Sequence, residues 1–431
     1  RKRGRTVGIL DAQAERLGLA AILARIRETA PRTVGISAMT YQIPSSVRLA
    51  QAVKREFPDV PIALGGAHAT ANPERTLEEF PDFDAVIAGE GEDALGEYMD
   101  DRANGGPKGR PGVFARGVAV DAARHERPKL ADLDALPYPA FDLFDLKKYW
   151  PFYSRRWRME LPLSASRGCP FHCTFCTKVM GDHARYRSPE GLVGEVVAHR
   201  KTYGVEQMIF TDENFTHKRS LVEGFCEGVI REGLAGKIRF ICQSRVQVAP
   251  ATIRLMARAG FTHITFGIES GDQAILDGVC KSIRLDDTRR AVEESKRAGM
   301  VVDGNFVLGL PNETEETIRR TIRFACELPL DYASFFLLVP YPGSRVLDMA
   351  KKGEGNLRLL SDRWEDYGKQ VGGAVELASV NRRRLQTLQF YGYLRFYAHP
   401  KRWIGVFRKV SVATVVAYLA MRLRDSLRPA A

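Results

Sequence analysis

Six short apolar runs in the second half of the chain constrain its fold more than any other feature. They are LPLSASRG (161–168), QMIFTDE (207–213), IRFICQSR (238–245), HITFGIES (263–270), VVDGNFVLG (301–309) and ASFFLLVP (333–340). Helical stretches such as PEGLVGEVVAHRKTYG (189–204) separate them. This alternation predicts parallel strands, and six such units predict a partial (β/α)6 barrel of the TIM type over residues 161–345. Functional side chains are expected at the carboxyl ends of its strands.

A similar alternation over residues 1–100 predicts a separate front domain. Its apolar runs are TVGILDA (6–12), TVGISAM (33–39), PIALGGAH (61–68) and DAVIAGEGE (84–92). Runs like these with helices between them predict a doubly wound, Rossmann-like parallel sheet, which binds ligands at the carboxyl ends of its strands. The small and polar residues at those ends are candidate ligand contacts: Ser37, Thr40, Gly65, Gly66 and His68.

The remaining segments are predicted to connect and follow these two α/β domains. Residues 101–160 are rich in Gly and Pro and predict a linker, whereas 346–431 predict a helical C-terminal region. Within that region, the aromatic stretch 390–403 is expected to pack in the core at helical spacing. The apolar stretch 410–421 is too short to span a bilayer. We expect it to be a buried or partner-facing helix, with association with a membrane surface as the alternative.

Composition narrows the possible compartments and partners. The 64 Lys and Arg against 52 Asp and Glu leave a net charge of +12, spread thinly along the chain. That charge suits an acidic small molecule, an acidic protein or a membrane surface, but no basic motif with interleaved aromatic residues indicates nucleic acid. The seven cysteines are odd in number and do not form a disulfide framework, so we expect a reducing cytoplasm. No apolar segment typical of a signal peptide follows the N-terminal charges.

The stretch SASRGCPFHCTFC (164–176) places Cys169, Cys173 and Cys176 within eight positions. Thiolates bind zinc or iron–sulfur clusters, and both kinds of site normally take four ligands. His172 stands between two of the cysteines and is a poor fourth ligand. A structural zinc or iron–sulfur module that serves a partner complex is one alternative. A 4Fe-4S cluster with three protein ligands is the other, and it leaves one iron open for a functional ligand.

CPFHCTFC, with an aromatic residue before its last cysteine and at the end of the first strand of a six-unit series, resembles the radical S-adenosylmethionine (SAM) superfamily. The resemblance implies that Cys169, Cys173 and Cys176 ligate a 4Fe-4S cluster whose open iron chelates SAM. It further implies reductive cleavage of SAM to a 5′-deoxyadenosyl radical, which abstracts hydrogen from a substrate. Phe175 would then pack beside the adenine. An electron donor is implied too: a flavodoxin, a ferredoxin or a dedicated reductase.

The resemblance extends to the other strand ends of the barrel. It places Asp212 and Glu213 of TDEN near the amino group of SAM, and Ser244 and Arg245 of QSR near its ribose or carboxylate. It also suggests further contacts to the ribose from Glu269 of GIES and to the adenine from Asn305 and Leu310. For each of these residues an ordinary role in lining the barrel stays open.

GISAMT, ALGGAHATANPERTL and VIAGEGE resemble the cobalamin-binding domain that precedes the barrel in one branch of this superfamily. LPYPAFDLF, FGIESG, FVLGLPNETEETI and PYPGS resemble the linker and barrel of the same branch. The resemblance implies cobalamin as a further cofactor and favours C-methylation of a small molecule, as in antibiotic or secondary-metabolite biosynthesis.

The sequence also departs from the branch in two ways. The strand and helix that usually precede ILDA are absent, and no D-x-H-x-x-G motif supplies a histidine for cobalt. Radical dehydration or deoxygenation of an amino sugar without cobalamin, and oxidative cyclisation, therefore stay open as alternatives.

Overall fold

The computed structural model describes residues 4–118, 130–149, 159–368, 373–399 and 402. Its front domain contains strands β1 (Val34–Ser37), β2 (Ile62–Gly65), β3 (Ala85–Ile87) and β4 (Val113–Ala115). Its helices are α1 (Leu19–Thr29), α2 (Ile43–Glu56), α3 (Ala67–Ala71), α4 (Pro73–Glu79) and α5 (Gly91–Ala103). The strands lie in the order β1–β2–β3–β4, the first three parallel and β4 antiparallel to β3. The predicted α/β architecture is confirmed.

Two details of the front domain differ from the sequence prediction. Residues 6–12 form no strand, because no neighbouring strand pairs with them. Val7 and Ile9 consequently keep 43% and 42% of their surface exposed. Strand β4 falls inside the range 101–160 that the sequence assigned to a linker, and it extends the front sheet by pairing Val86 with Phe114.

The second sheet is a six-stranded parallel arc. Its strands are β5 (Glu160–Leu163), β8 (Gln207–Phe210), β9 (Arg239–Ser244), β10 (Phe261–Glu269), β11 (Val301–Leu308) and β12 (Tyr332–Leu337), in the order β5–β8–β9–β10–β11–β12. A short antiparallel pair, β6 (Ser166–Arg167) and β7 (Arg185–Tyr186), lies between β5 and β8 in the chain. All six predicted strands of the partial barrel are confirmed.

Six helices follow the strands of the arc: α6 (Pro189–Tyr203), α7 (Arg219–Arg231), α8 (Pro250–Ala259), α9 (Gln273–Gly278), α10 (Leu285–Arg297) and α11 (Glu315–Glu327). Strand β11 shows why this packing forms, since alternate residues from Val302 to Leu308 are buried while the others are partly exposed. The buried side chains belong to the main core, and the opposite face lines the barrel interior. Ser188 begins α6 by accepting a hydrogen bond from the Gly191 N–H at 3.0 Å.

The C-terminal region is helical with one short hairpin. Helix α12 (Arg345–Lys352) is followed by strands β13 (Leu357–Leu359) and β14 (Val375–Leu377), which pair antiparallel, and then by α13 (Arg382–Tyr397). The sequence did not predict the hairpin. The hydroxyls of Tyr393 and Tyr397 donate to backbone carbonyls of β12 at 3.3 and 3.2 Å, so the described part of the aromatic stretch packs on the barrel.

The apolar stretch 410–421 lies outside the described residues. Within the ranges that the structure covers, no helix is long and apolar enough to cross a membrane.

Candidate active site

The cysteine loop connects β6 to β7 at the mouth of the barrel. Cross-strand pairing of Arg167 with Arg185 closes the base of the loop. Gly168 follows with φ +88°, and a Cβ there would lie 2.4 Å from the His183 carbonyl oxygen, so only glycine fits. The N–H of Cys169 donates to the Gly181 carbonyl at 3.2 Å. These contacts fix the backbone from which the first thiol projects.

The three thiols influence one another electrostatically. The N–H of Cys176 donates to the Cys173 carbonyl at 3.1 Å, which forms a tight turn between these two residues. Loss of water around its sulfur, together with repulsion from Cys173 and Cys169, raises the pKa of Cys176 to about 11. Iron would offset this repulsion, because a metal deprotonates the thiols that coordinate it. Three thiols on one loop are thus a donor set that fits an iron–sulfur cluster.

No group of three or more His, Cys, Asp or Glu side chains is placed to hold a metal ion among the residues described here. An iron–sulfur cluster differs from a single ion because each thiolate binds a different iron of the cluster.

Arg245 has its guanidinium directed at the cysteine loop. Its Nη1 lies 3.6 Å from the Cys173 sulfur, its Nε donates to Gln247 at 3.1 Å, and its Nη2 donates to the Lys281 carbonyl. The plane of the guanidinium stacks on Phe171, with 3.8 Å from Cζ to the ring centroid. Arg245 therefore lies beside the cysteine loop, and its donors point to a cysteine sulfur and to the loop that contains Lys281.

Two other predicted contacts are directed into the protein interior. The buried carboxylate of Asp212 accepts hydrogen bonds from the Ala165 N–H, at 3.1 and 3.2 Å, and from the Ser166 hydroxyl. Burial raises the pKa of Asp212 to about 6. Ser244 is also buried, donates to the Arg245 carbonyl at 2.7 Å and bonds to Thr216. Asp212 thus joins β8 to the turn before the cysteine loop.

The remaining predicted contacts in the barrel differ in exposure. Glu213 is exposed beside the Gly168 N–H, and Phe175 is partly buried against the barrel core. Asn305 is partly buried in β11, between Gly267 of β10 and Ser334 of β12. Leu310 is fully buried in the core, away from any open surface.

A buried ion pair is the part of the site that the sequence analysis missed. Lys281 Nζ lies 2.8 Å from the Glu269 carboxylate, and both residues are less than a tenth exposed. Glu269, Cys280 and Ser282 all have positive φ, at 68°, 55° and 53°. Each such residue costs roughly 1–3 kcal/mol of strain, and strain of this kind concentrates at functional sites.

Both charges of this pair act on Cys176: the ammonium of Lys281 lowers its pKa and the carboxylate of Glu269 raises it. The ion pair therefore lies within electrostatic reach of the cysteine loop. The available sequence signal was a lysine in the otherwise uncharged stretch VCKSI, twelve residues after Glu269.

The candidate ligand edge of the front domain is formed by closely crossing backbones. Gly66 has φ +97°, and a Cβ there would lie 2.7 and 2.8 Å from the backbone O and N of Ala38. Gly65 is partly buried beside it, and Ser37 is exposed. Met39 is 56% exposed next to this crossing. An open apolar surface beside small residues fits a large flat ligand such as a corrin.

His68 and Thr40 are placed differently from this edge. Both are buried, and His68 Nδ1 lies 3.3 Å from the Thr40 hydroxyl. The His68 ring contacts Trp364 edge-on, with centroids 4.7 Å apart, and burial lowers its pKa to about 4. The structure therefore places His68 between the front domain and the C-terminal region.

Two ligand edges, the cysteine loop at the mouth of the barrel and the ligand edge of the front domain, meet at the loop after β12. A Cβ on Gly343 would lie 3.4 Å from a methyl carbon of Thr177, in the cysteine loop, and 3.7 Å from Ala71, in α3 of the front domain. Tyr41 lies close enough to Tyr341 in the same loop to raise its pKa, although burial is the larger cause. The cysteine loop and the front domain therefore border one region of the molecule.

The comparisons with known proteins agree with this geometry. Residues 1–99 match the family described as B12 binding domain, and residues 163–325 match the Radical SAM superfamily. The uncharacterized methyltransferase PH0819 of Pyrococcus horikoshii is 31% identical over 403 residues, which are 92% of this chain and 85% of that protein. An anaerobic magnesium-protoporphyrin IX monomethyl ester cyclase of Rubrivivax gelatinosus is 31% identical over 352 residues, 78% of this chain and 61% of that protein.

A solved structure shows the same fold. It is the radical SAM methyltransferase TsrM from Kitasatospora setae with cobalamin and a 4Fe-4S cluster bound, with a TM-score of 0.67 at 19% identity over 84% of this chain and 73% of that one. The radical SAM domain implies a 4Fe-4S cluster and SAM, and the B12-binding domain implies cobalamin. The chain belongs to the radical SAM superfamily, in the branch that carries an N-terminal B12-binding domain.

Proposed function

We propose that the protein methylates a carbon atom of a small-molecule substrate in a radical SAM reaction that uses cobalamin. The observation that carries this proposal is the meeting of the two ligand edges at Gly343, which has the cysteine loop on one side and the front domain on the other. A substrate bound there would be within reach of both cofactors. The relationship to the Pyrococcus methyltransferase supports the same reaction class.

When bound, the cluster and SAM supply a radical that abstracts hydrogen, and cobalamin supplies a methyl group. Within the chain, we assign cluster ligation to Cys169, Cys173 and Cys176. Arg245 is placed to stabilise the Cys173 thiolate, because its Nη1 lies 3.6 Å from that sulfur. Donors to ligand sulfurs tune the reduction potential of iron–sulfur clusters. Arg245 is therefore proposed as a tuning residue for the cluster rather than a carboxylate clamp.

We propose that the ion pair of Glu269 and Lys281 receives the amino-acid end of SAM. That end carries one ammonium and one carboxylate, so its charges are complementary to those of the pair. Binding would exchange the 2.8 Å contact between Glu269 and Lys281 for two new ion pairs, without leaving a buried charge alone. The strained backbone around the pair would keep both side chains in place before SAM binds.

An electron donor is part of the proposal, since reduction of the cluster needs an external electron. A flavodoxin, a ferredoxin or a dedicated reductase would serve, and the net charge of +12 favours an acidic one. A reducing compartment is also part of the proposal, because seven cysteines, an odd number, do not indicate a disulfide framework.

Oxidative cyclisation is the second candidate reaction, because a cyclase of Rubrivivax gelatinosus is 31% identical to this chain. The two reactions differ in the fate of the methyl group of SAM. Methylation would place that group on the substrate, with cobalamin as its carrier when bound, whereas cyclisation would form a bond within the substrate.

The test uses full-length protein purified with hydroxocobalamin, a reconstituted cluster and SAM that carries a deuterated methyl group. We expect corrin to copurify with the protein, and we expect the deuterium label to appear on that corrin after reduction. Protein that holds an intact cluster but no corrin would contradict methylation. Bound corrin that never acquires the label would favour cyclisation.

A further inference from the structure

Glu90 of the front domain has a buried carboxylate that contacts the barrel. The residue is 4% exposed and stands between β3 and α5. Its carboxylate accepts hydrogen bonds from Arg167 Nη1 at 3.3 Å, from Arg185 Nη2, and from the Leu130 N–H at 3.0 Å. Burial alone would raise its pKa, but the hydrogen bonds from Arg185 and Leu130 lower the pKa of Glu90 below its ordinary value. Glu90 is therefore ionised in the folded protein.

The two arginines are the paired residues at the base of the cysteine loop. Arg167 in β6 faces Arg185 in β7 across the antiparallel pair. Arg185 also reaches the Met180 carbonyl within the loop at 3.2 Å, and the Leu130 carbonyl at 2.7 Å. Two like charges this close repel each other, and an anion between them offsets that repulsion. Glu90 provides such an anion to both arginines from another domain, and Glu92 adds a second one at 2.6 Å from Arg167.

The residues that contact Glu90 are joined to the first cluster ligand by only a short stretch of backbone. Gly168 follows Arg167 and packs against the His183 carbonyl, which lies two residues before Arg185. Cys169 comes next and bonds to Gly181 on the opposite side of the loop. A change in the separation of Arg167 and Arg185 would therefore move the backbone that holds the first thiol.

We propose that Glu90 is a positioning residue for the iron–sulfur cluster, and that its carboxylate in the front domain clamps both arms of the cysteine loop in the barrel. We call Glu90, Arg167 and Arg185 the Glu90 clamp. Its arginines are 20% and 15% exposed at their side chains and its glutamate 3%, so the charges interact with little screening by water. The front domain would then take part in holding the cluster. The inference rests on the assignment of the cluster ligands but not on methyl transfer.

Glu90→Gln tests the clamp because it removes the charge and keeps the shape. We expect the reconstituted full-length variant to lose iron to a chelator about ten-fold faster than wild type, as removal of outer contacts to metal ligands commonly does. We also expect a higher midpoint potential in an EPR-monitored titration. Arg185 would lose its carboxylate partner and Arg167 would keep only Glu92, at 2.6 Å, so the net positive charge beside the loop increases, which favours the reduced cluster.

Two further variants separate a charge effect from loss of packing. Glu90→Asp keeps the charge but is one methylene shorter, so its potential should stay closer to wild type than that of Glu90→Gln. A space-filling role predicts the reverse order, because glutamine is the better isostere. Glu97→Gln is the matched control in α5, the helix that follows Glu90; Glu97 lies 3.7 Å from Arg110, and the variant should match wild type in both measurements.

The outcomes distinguish this inference from the proposed function. If Glu90→Gln matches wild type in chelator rate and potential, the clamp is wrong while the cluster assignment stands. If wild-type protein takes up no cluster, the proposed function itself fails. Should Glu90→Gln not fold, Arg167→Gln removes a cation from the same clamp. It should speed iron loss and lower the potential, and unchanged values there would overturn the inference.

Discussion

His68 allows the most quantitative prediction, because its surroundings separate a structural role from a cofactor role. The ring is fully buried, its Nε2 has no hydrogen-bond partner, and it contacts Trp364 with centroids 4.7 Å apart. Trp364 in turn donates to Glu79 at 2.8 Å and stacks under Arg75 at 4.4 Å. A proton on His68 would place an unpaired charge inside this contact, so burial lowers its pKa to about 4.

The pH dependence of stability follows from that pKa. The unfolded chain binds a proton at the ordinary pKa of 6.5, whereas the folded chain does not until about pH 4. The unfolded state thus holds more protons in this window, and stability falls as the pH drops from 6.5 towards 4. At 1.36 kcal/mol for each pH unit between the two pKa values, His68 should cost about 3 kcal/mol of unfolding free energy by pH 4.

The assay is urea unfolding at pH 7.5 and at pH 4, compared between wild type and His68→Phe. Phenylalanine keeps a ring against Trp364 but cannot be protonated, so the variant should lose about 3 kcal/mol less on acidification than wild type. His399→Gln, at an exposed histidine, should retain the wild-type dependence. An equal loss in wild type and His68→Phe would refute the reasoning. Abolished corrin binding in His68→Phe at pH 7.5 would instead assign the residue to the cofactor.

Three further predictions concern the ligand edges. Cys173→Ala should lose the cluster, whereas Cys326→Ala, in helix α11, should keep it; the assay is the iron and sulfide content per chain. A cluster retained in Cys173→Ala would show that Cys173 is not a ligand. Lys281→Met should weaken SAM binding by about ten-fold or more with cluster content unchanged, because it leaves one buried charge without its partner; equilibrium binding at the wild-type level would contradict the role of the ion pair. Gly66→Ala should destabilise the front domain by about 1–3 kcal/mol, since its Cβ would lie 2.7 Å from the Ala38 carbonyl oxygen; a normal urea midpoint with full corrin binding would show that the close crossing is not required.

The barrel was predictable because its strands are short, apolar and parallel. Strand β9 buries three consecutive residues, Phe240 to Cys242, and β11 buries alternate residues, so both strands read as apolar runs between helical stretches. The run at 6–12 has the same appearance, but Val7 and Ile9 remain exposed and gain no neighbouring strand. Pairing depends on a partner elsewhere in the chain, which a local pattern does not reveal. The same reason explains why the antiparallel strand β4 was missed.

The sequence predicted which strand ends carry the candidate site residues, but it did not predict where their side chains point. The hydrogen bonds and burial of Asp212, Arg245 and His68 direct them to backbone, a cysteine sulfur and a tryptophan. Lys281 was missed because it lies in a strained loop between Cys280 and Ser282. Their positive φ values could not be predicted from these residue types. Glu90 was missed because its partners are about 80 and 95 residues away in the chain.

The most direct test of the account is formation of 5′-deoxyadenosine by the reconstituted full-length protein with SAM and a strong reductant under anaerobic conditions. The account predicts 5′-deoxyadenosine well above a control without reductant, and none from Cys173→Ala. An intact cluster in wild-type protein with no 5′-deoxyadenosine above background would contradict the claim that the three-cysteine loop is a site of radical SAM chemistry.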